Sequence, residues 1–317
     1  MSRPIALPRR ALLAAPLAAP ALAQPRPIRV IVPYAPGGQS DTVMRLIAPG
    51  MGEVLGTTIV VENRPGAGGA IGAGVVAAAP PDGQTLLIDS FGFVVQPLIQ
   101  RGLSFDYATA FAPVVQLVAL PYVLVVRRDF PARDLAGYLE AARRGSVQYG
   151  SPGVGSIGHL AGALLAHRAG VRLEHVPYRG GADAARDLAA GNLDSVMGTA
   201  NSLRPLTLDG RARGIALTSA RRMGSMADLP TIAESGFPGY DLTSWNGLFA
   251  PAGTPAPVIA RLAAAADAAL RDTTRRERLA ASGNEPVGGA PEEFATVVRR
   301  DAAVVRELVR ETGLRID

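Results

Sequence analysis

Short apolar runs rich in β-branched residues alternate with longer stretches in which apolar residues return every third or fourth position. Pro27 to Pro33 (PIRVIVP) predicts a strand bounded by prolines, and Val43, Ile47, Met51 and Leu55 then fall on one face of a helix. Thr57 to Val61 predicts the next strand. The Gly-rich residues 66–74 open a small-residue helix running to Ala79, and Thr85 to Ile88 predicts a third strand. This β-α-β-α-β run is one half of a doubly wound sheet. A second cycle follows Pro121–Val126: helix over Leu135–Arg144, strand over Val147–Tyr149, helix over Ser156–Ala169 and strand over Leu173–Val176. Helix is then predicted over Ala182–Ala190, with strands at Ser195–Met197 and Gly214–Thr218. Beyond Trp245–Ala250 the chain reads as helical. Phe294, Val298, Val305 and Leu308 recur at helical spacing in a last helix expected to pack back on the first domain. Such alternation predicts an α/β protein with mostly parallel sheets.

The 317 residues suit two domains. The apolar segments near 121–127 and 245–251 read as two strands joining two lobes, a connection that permits hinge closure; the alternative makes both ordinary core strands of one large sheet. The expected division is a leader over residues 1–24, a first lobe of 25–123 plus 248–317, and a second lobe of 124–247 inserted between the crossings.

Composition narrows the choices. An apolar share of 48% without long charge runs excludes disorder. All basic residues are Arg, and three of them (Arg3, Arg9, Arg10) precede an apolar stretch, Ala11 to Pro20, and an Ala21-Leu22-Ala23 site before Gln24. That is the layout of a secretory signal, with Arg9-Arg10 also suiting twin-Arg export, and it places the protein in the periplasm. Without those three arginines the formal charge falls from +5 to +2, scattered over the chain, which is no nucleic-acid footprint. The absence of cysteine removes thiol nucleophiles, thiolate metal sites and disulfides together.

Four segments carry candidate chemistry. Between a strand and a helix lies Tyr34-Ala35-Pro36-Gly37-Gly38-Gln39-Ser40-Asp41, whose glycines permit close approach of a ligand to backbone amides at a helix start. The competing reading is a plain turn with Ser40 as helix cap and Asp41 complementing the dipole. Glu62 to Gly72 is a similar Gly-rich entry, though close helix–sheet packing alone explains its small residues. Tyr149 to His159 contains G-x-G-x-x-G at Gly153, Gly155 and Gly158, with Glu174 expected near the end of the next strand. This matches the dinucleotide fingerprint, so a nicotinamide-dependent oxidoreductase is a rival reading. Ser151 and Ser156 in the same segment equally suit a carboxylate. Tyr178-Arg179-Gly180 closes another strand end, with Tyr178 as a cleft wall and Arg179 as an anion partner or a solvated charge. The three histidines lack metal-ligand spacing, no catalytic triad is implied, and His159 reads as a helix-start residue bonded to backbone. No enzyme, cofactor or metal is expected.

PIRVIVPYAPGGQSD, VVENRPGAGGAIGA, YGSPGVGSIGHLAG, HVPYRGG, LPTIAESGFPGY and SWNGLFAPAGTP together resemble the motifs of Bug-type proteins, the extracytoplasmic solute receptors of the tripartite tricarboxylate transporter family. The resemblance spans nearly all of residues 25–317 in order. It implies a two-lobed clamshell, the periplasmic-binding-protein fold, holding a small carboxylate between lobes and delivering it as a monomer to inner-membrane permease subunits; a signalling adaptor without transport is the variant reading. By that resemblance Tyr34, Gly37, Gly38, Gln39, Ser40 and Asp41 form the lobe-one carboxylate loop, with Ser90 nearby. Ser151, Gly155 and Ser156 supply lobe-two donors, and Tyr178, Arg179 and Gly180 close the wall. Two departures from the family pattern are Arg179 in place of Lys, and Pro49-Gly50, expected to interrupt the first helix.

Overall fold

The computed structural model describes residues 26–313; the proposed leader, residues 1–24, lies outside them. Two mixed sheets organise the chain. The first has the order β11-β4-β10-β3-β1-β2, built from β1 (Ile28–Val32), β2 (Ile59–Asn63), β3 (Thr85–Ser90), β4 (Phe111–Leu120), β10 (Ser244–Pro251) and β11 (Glu285–Pro286). The second has the order β7-β6-β8-β5-β9, from β5 (Tyr122–Arg127), β6 (Val147–Ser151), β7 (Leu173–Pro177), β8 (Ser195–Thr199) and β9 (Ala212–Leu217).

Each sheet is sandwiched because its strands alternate two apolar faces. Val30 and Val32 of β1 pack with Val43, Met44, Ile47 and Met51 of α1 (Gln39–Leu55) and with Ile259 and Leu262 of α8 (Ala256–Arg271). On the opposite face Ile31, Leu87 and Phe249 join Phe93 of α3 (Gly92–Ile99) and Phe294 of α10 (Pro291–Thr312). In the second sheet Val123 and Val125 meet α6 (Gly181–Ala190) and α7 (Ala200–Leu208), while Leu124 and Val126 meet α4 (Leu135–Arg144) and α5 (Ile157–Ala169). Each such buried aliphatic side chain stabilises the fold by about 1.5–3 kcal/mol relative to exposure. The smaller helices α2 (Ala70–Ala77), behind a 3-10 turn at Ala67–Gly69, and α9 (Thr273–Ala281) complete the order. The last helix packs on β4 and α3, as its periodicity predicts, and also touches α5.

The sheets are mixed rather than mostly parallel. β10 runs antiparallel to both β3 and β4, and β5 runs antiparallel to β8 and β9. The reason is the crossing itself: a strand that arrives from the other sheet enters from the end where the parallel strands finish. The crossings fall at the edges of the two expected hinge segments, which are themselves core strands of separate sheets. Pro121 is the step from β4 to β5; on the return, Leu242 N–H donates to Thr218 O and Ser244 pairs with Leu120. Tyr122 and Val123 thus belong to the second sheet, and Ser244 to Gly247 to the first. Pro49 does not interrupt α1, which runs unbroken over Gln39–Leu55. The lost hydrogen bond is outweighed by the face that α1 buries against β1 and α8.

Candidate functional site

The register of the crossings aims both halves at one gap. Ser90, the end of β3, lies opposite Asn246, two residues from the crossing at Ser244. In the other sheet Thr199, the end of β8, lies opposite Tyr122, the first residue after the crossing. The carboxyl ends of the parallel strands in both sheets therefore face each other, where ligands bind in open α/β sheets. Gly283, in the turn before β11, and Asn201, at the start of α7, bring the halves into contact: a Cβ at 283 would lie 2.5 Å from that of Asn201.

On the first side, the chain leaves β1 through Tyr34 to Ser40. The helix cap is Gly38, in extended backbone, not Ser40; Ser40 sits buried in the first turn, its Oγ accepting from Asn246 Nδ2 at 2.7 Å. Gln39 Nε2 donates to Asn246 Oδ1 (2.9 Å) and Asn284 Oδ1 (3.1 Å). Asp41 is buried and fully engaged, accepting from Gly37 N–H (2.9 Å), Arg45 Nε (2.9 Å) and Asn63 Nδ2 (3.0 Å). Burial opposes its ionisation, but those donors outweigh burial and hold its pKa below the usual carboxylate value. Gly37 and Gly38 N–H are likewise committed, the latter to Ala35 O at 3.2 Å. The N–H groups of Gln39, Ser40 and Asp41 precede the first helical bond, Thr42 N–H to Gly38 O, so they have no acceptor within the helix.

Tyr34 and Ser90 meet behind this loop. Tyr34 Oη donates to Asp89 Oδ1 at 2.7 Å and lies 3.0 Å from Ser90 Oγ. Asp89 is only 1% exposed, and burial pushes its pKa up to about 7 against the Tyr34 and Ser90 hydrogen bonds. Burial and the neighbouring Asp89 raise Tyr34 well above an ordinary phenol.

On the second side, Ser151 ends β6 and is wholly buried. Its Oγ bonds Gly153 O (3.0 Å) and His175 Nε2 (2.7 Å), and it accepts from Ser156 Oγ at 3.3 Å. Ser156 caps α5, accepting from His159 N–H. His159 Nδ1 accepts from Gly155 N–H at 3.1 Å, so this histidine is bonded to backbone as its position suggests, and the Gly155 amide is spent. The His159 and His175 rings stack with centroids 3.9 Å apart. Burial lowers both pKa values to about 4, helped for His175 by the His159 ring. Tyr178 Oη donates to Asp187 at 2.8 Å, Gly180 caps α6, and Arg179 is exposed. Glu174 stands near the start of β7, not its end; it is exposed and accepts from Ser146, so the acidic partner of a dinucleotide ribose is out of place.

The sequence-selected residues thus form two clusters, one on each side of the gap: Tyr34, Gly37–Asp41 and Ser90, and Ser151, Gly155, Ser156 and Tyr178–Gly180. Sequence reasoning missed Asp89, Asn246, Asn284 and His175, which hold these clusters. Asn246 and His175 did carry a signal, as parts of SWNGLFAP and HVPYRGG. Among the described residues no group of three or more His, Asp or Glu is placed to hold a metal, and no helix is long and apolar enough to cross a membrane.

Comparison with known proteins agrees with this architecture. The model of the tripartite tricarboxylate transporter family receptor, TctC, matches residues 43–314. The UPF0065 protein of the tcbD-tcbE intergenic region in Pseudomonas sp. (strain P51) is 42% identical over 292 residues, 91% of this chain and 87% of that one. Among solved structures, R. palustris Rpa4515 with adipate has a TM-score of 0.72 at 34% identity, covering 91% of this chain and 98% of that one. MatC (Rpa3494) from Rhodopseudomonas palustris with bound malate has a TM-score of 0.68 at 32% identity, covering 90% and 99%. The fold is the two-domain periplasmic-binding-protein fold, and the matched family consists of solute receptors, not enzymes. With a family match over most of its length, this chain belongs to the tripartite tricarboxylate transporter receptor family.

Proposed function

We infer that this receptor is exported by its leader, residues 1–24, closes its two lobes on a small carboxylate, and delivers it as a monomer to membrane permease subunits. The observation that supports the reading most is the facing of helix entries, α1 on one side and α5 and α6 on the other. N–H groups at the starts of α1, α5 and α6 lack helical acceptors, while the nearby carboxylates of Asp41 and Asp89 are buried and already hydrogen-bonded. An anion in the gap meets amide dipoles from both sides and hydroxyls from the first. Charge-assisted hydrogen bonds net about 1.5–3 kcal/mol each, so four or five of them, less the cost of closure, reach the roughly 8 kcal/mol of micromolar affinity. The direct donors in this reading are the Gln39, Ser40, Ile157, Gly158, Gly181 and Ala182 amides with the Ser90 hydroxyl, joined by Tyr34 when Asp89 no longer takes its proton. Gly37, Gly38, Asp41, Ser151, Gly155 and Ser156 shape the loops that present them, and the lobes divide at Pro121 and Thr243. The adipate and malate held by its relatives support a dicarboxylate.

Isothermal titration against mono-, di- and tricarboxylates tests the reading. Micromolar binding of at least one is expected, and silence across all three classes would overturn it. Mass spectrometry of exported protein should find a mature N-terminus at Gln24 or Pro25, and retained Met1 would refute export through this leader.

A further inference from the structure

Among the described residues no cation pairs with Asp89, in contrast to Asp41, the other buried acid of the site. Asp41 is paired with Arg45, but among the described residues the Asp89 carboxylate accepts from Tyr34 Oη (2.7 Å) and its neighbour Ser90 N–H (2.7 Å) alone. It is wholly buried at the end of β3, with Gly247 of β10 opposite and Asn246 Nδ2 reaching its carbonyl oxygen at 3.4 Å. The titratable groups facing it are Tyr34, from the loop after β1, and Tyr107, from the segment before β4. The side chains from α1 and β10 that complete the neighbourhood, Gln39, Ser40 and Asn246, are neutral. Both groups that bond Asp89 belong to Tyr34 and Ser90, which lie at the carboxyl ends of β1 and β3 beside the gap.

We propose that capture of a carboxylate ligand by this receptor is coupled to uptake of one proton on Asp89, which positions Tyr34 for the ligand. The inference rests on the carboxylate reading above. A ligand carboxylate at Ser90 and Tyr34 brings a second negative charge to within a side chain of a buried one. Two carboxylates sharing a site raise each other's proton affinity. A solvent proton then adds to Asp89 Oδ1, giving a neutral acid whose O–H donates to Tyr34 Oη. The phenol's own proton, previously given to Asp89, turns toward the incoming anion. No covalent bond other than O–H changes, and the complex carries one negative charge fewer than receptor and dianion summed. In the ligand-free protein burial already holds the Asp89 pKa near neutrality, at about 7.

Malate and adipate serve as probes, titrated calorimetrically at pH 6.5, 7.2 and 8 in phosphate and in Tris, whose ionisation enthalpies differ. Uptake approaching one proton is expected at pH 8, with affinity weakening by up to about tenfold from pH 6.5 to 8. The imidazoles of His159 and His175 stay neutral over that range. Asp89→Asn should abolish the uptake and flatten the profile. Binding with no buffer dependence, or equal proton uptake in the variant, overturns the inference while leaving the carboxylate reading intact. Should neither probe bind, carboxyl-carbon NMR of the ligand-free protein still decides the premise. An aspartate titrating near neutrality that is missing in Asp89→Asn supports it, and its absence refutes it. Wild-type proton counts and that spectrum stand even if the variant fails to fold.

Discussion

The two sides of the gap present similar helix entries but are held by opposite chemistry. The first-sheet loop is fastened by carboxylates and amides: Asp41 clamps Gly37, Arg45 and Asn63, while Asn246 and Asn284 grip Gln39 and Asn246 also holds Ser40. The second-sheet loop is fastened by hydroxyls and imidazoles: Ser151, Ser156, His159 and His175 bond one another and the backbone of Gly153 and Gly155. An acid clamp with a cation beside it favours the ionised form, and a buried imidazole stack favours the neutral one. One gap is therefore framed by two supports with different responses to pH and to packing.

Packing gives the largest way to break this comparison. A Cβ at Gly158 would stand 2.2 Å from Met197 O, a backbone atom that cannot turn aside. Gly158→Val should therefore destabilise the second lobe by more than about 3 kcal/mol and eliminate binding, read from urea midpoints and calorimetry. A midpoint equal to wild type would mean that α5 is free to shift.

Acid is next in size. Both histidines have folded pKa values, about 4, below their unfolded value of 6.5. For these two groups the unfolded chain therefore binds more protons between those limits, so their contribution to stability is full above pH 6.5 and lost as pH falls toward 4, while Asp89 and Asp301, raised by burial to about 7 and about 6, act in the opposite sense across the same window. Asp41, held below its ordinary 3.8, keeps its contribution throughout that window and loses it only at lower pH. Comparison of wild-type and variant melting profiles by calorimetry should then separate the two supports, His159→Asn/His175→Asn removing an acid loss between pH 6.5 and 4 and Asp41→Asn removing one at lower pH. A single acid transition untouched by the histidine changes would erase the contrast between the supports.

The smallest effect belongs to Arg179, the exposed residue of the second cluster. Arg179→Ala should change carboxylate affinity by less than about twofold, in line with exposed charges. A tenfold loss in titration would instead make it an anion partner and shift weight to the side chains of the second lobe.

The strands and helices of both sheets were largely legible because local alternation reports local burial: Val30 and Val32 against Ile31, or Val43, Ile47 and Met51 on one face of α1. The segment from Phe91 to Leu120 carried no such signal. Helix α3 is apolar almost all round and contains Pro97, and β4 contains Pro113 and is largely buried on both faces, so neither shows a clean period. The Gly-rich helix entries on both sides of the gap were visible through their glycines, but their supports were not. Asn246 sits mid-strand, 206 positions from the Ser40 it holds, and His175 reaches His159 only once β7 lies beside β6. Such pairings are created by topology, and no window of neighbouring residues contains them. The mixed sheets escaped for the same reason, since the direction of β10 depends on where the chain returns.

That return has a consequence for the order of assembly. The second sheet is complete once Leu217 has been made, whereas β3 and β4 of the first are joined only through β10, which ends at Pro251. Asn246, which secures Gln39 and Ser40, arrives on that same late strand. The inserted half can therefore consolidate on its own contacts, while the amino-terminal half waits for a strand encoded more than a hundred and fifty positions after β3. The fixed geometry of the Gln39–Ser40 entry is thus among the last properties the nascent polypeptide acquires.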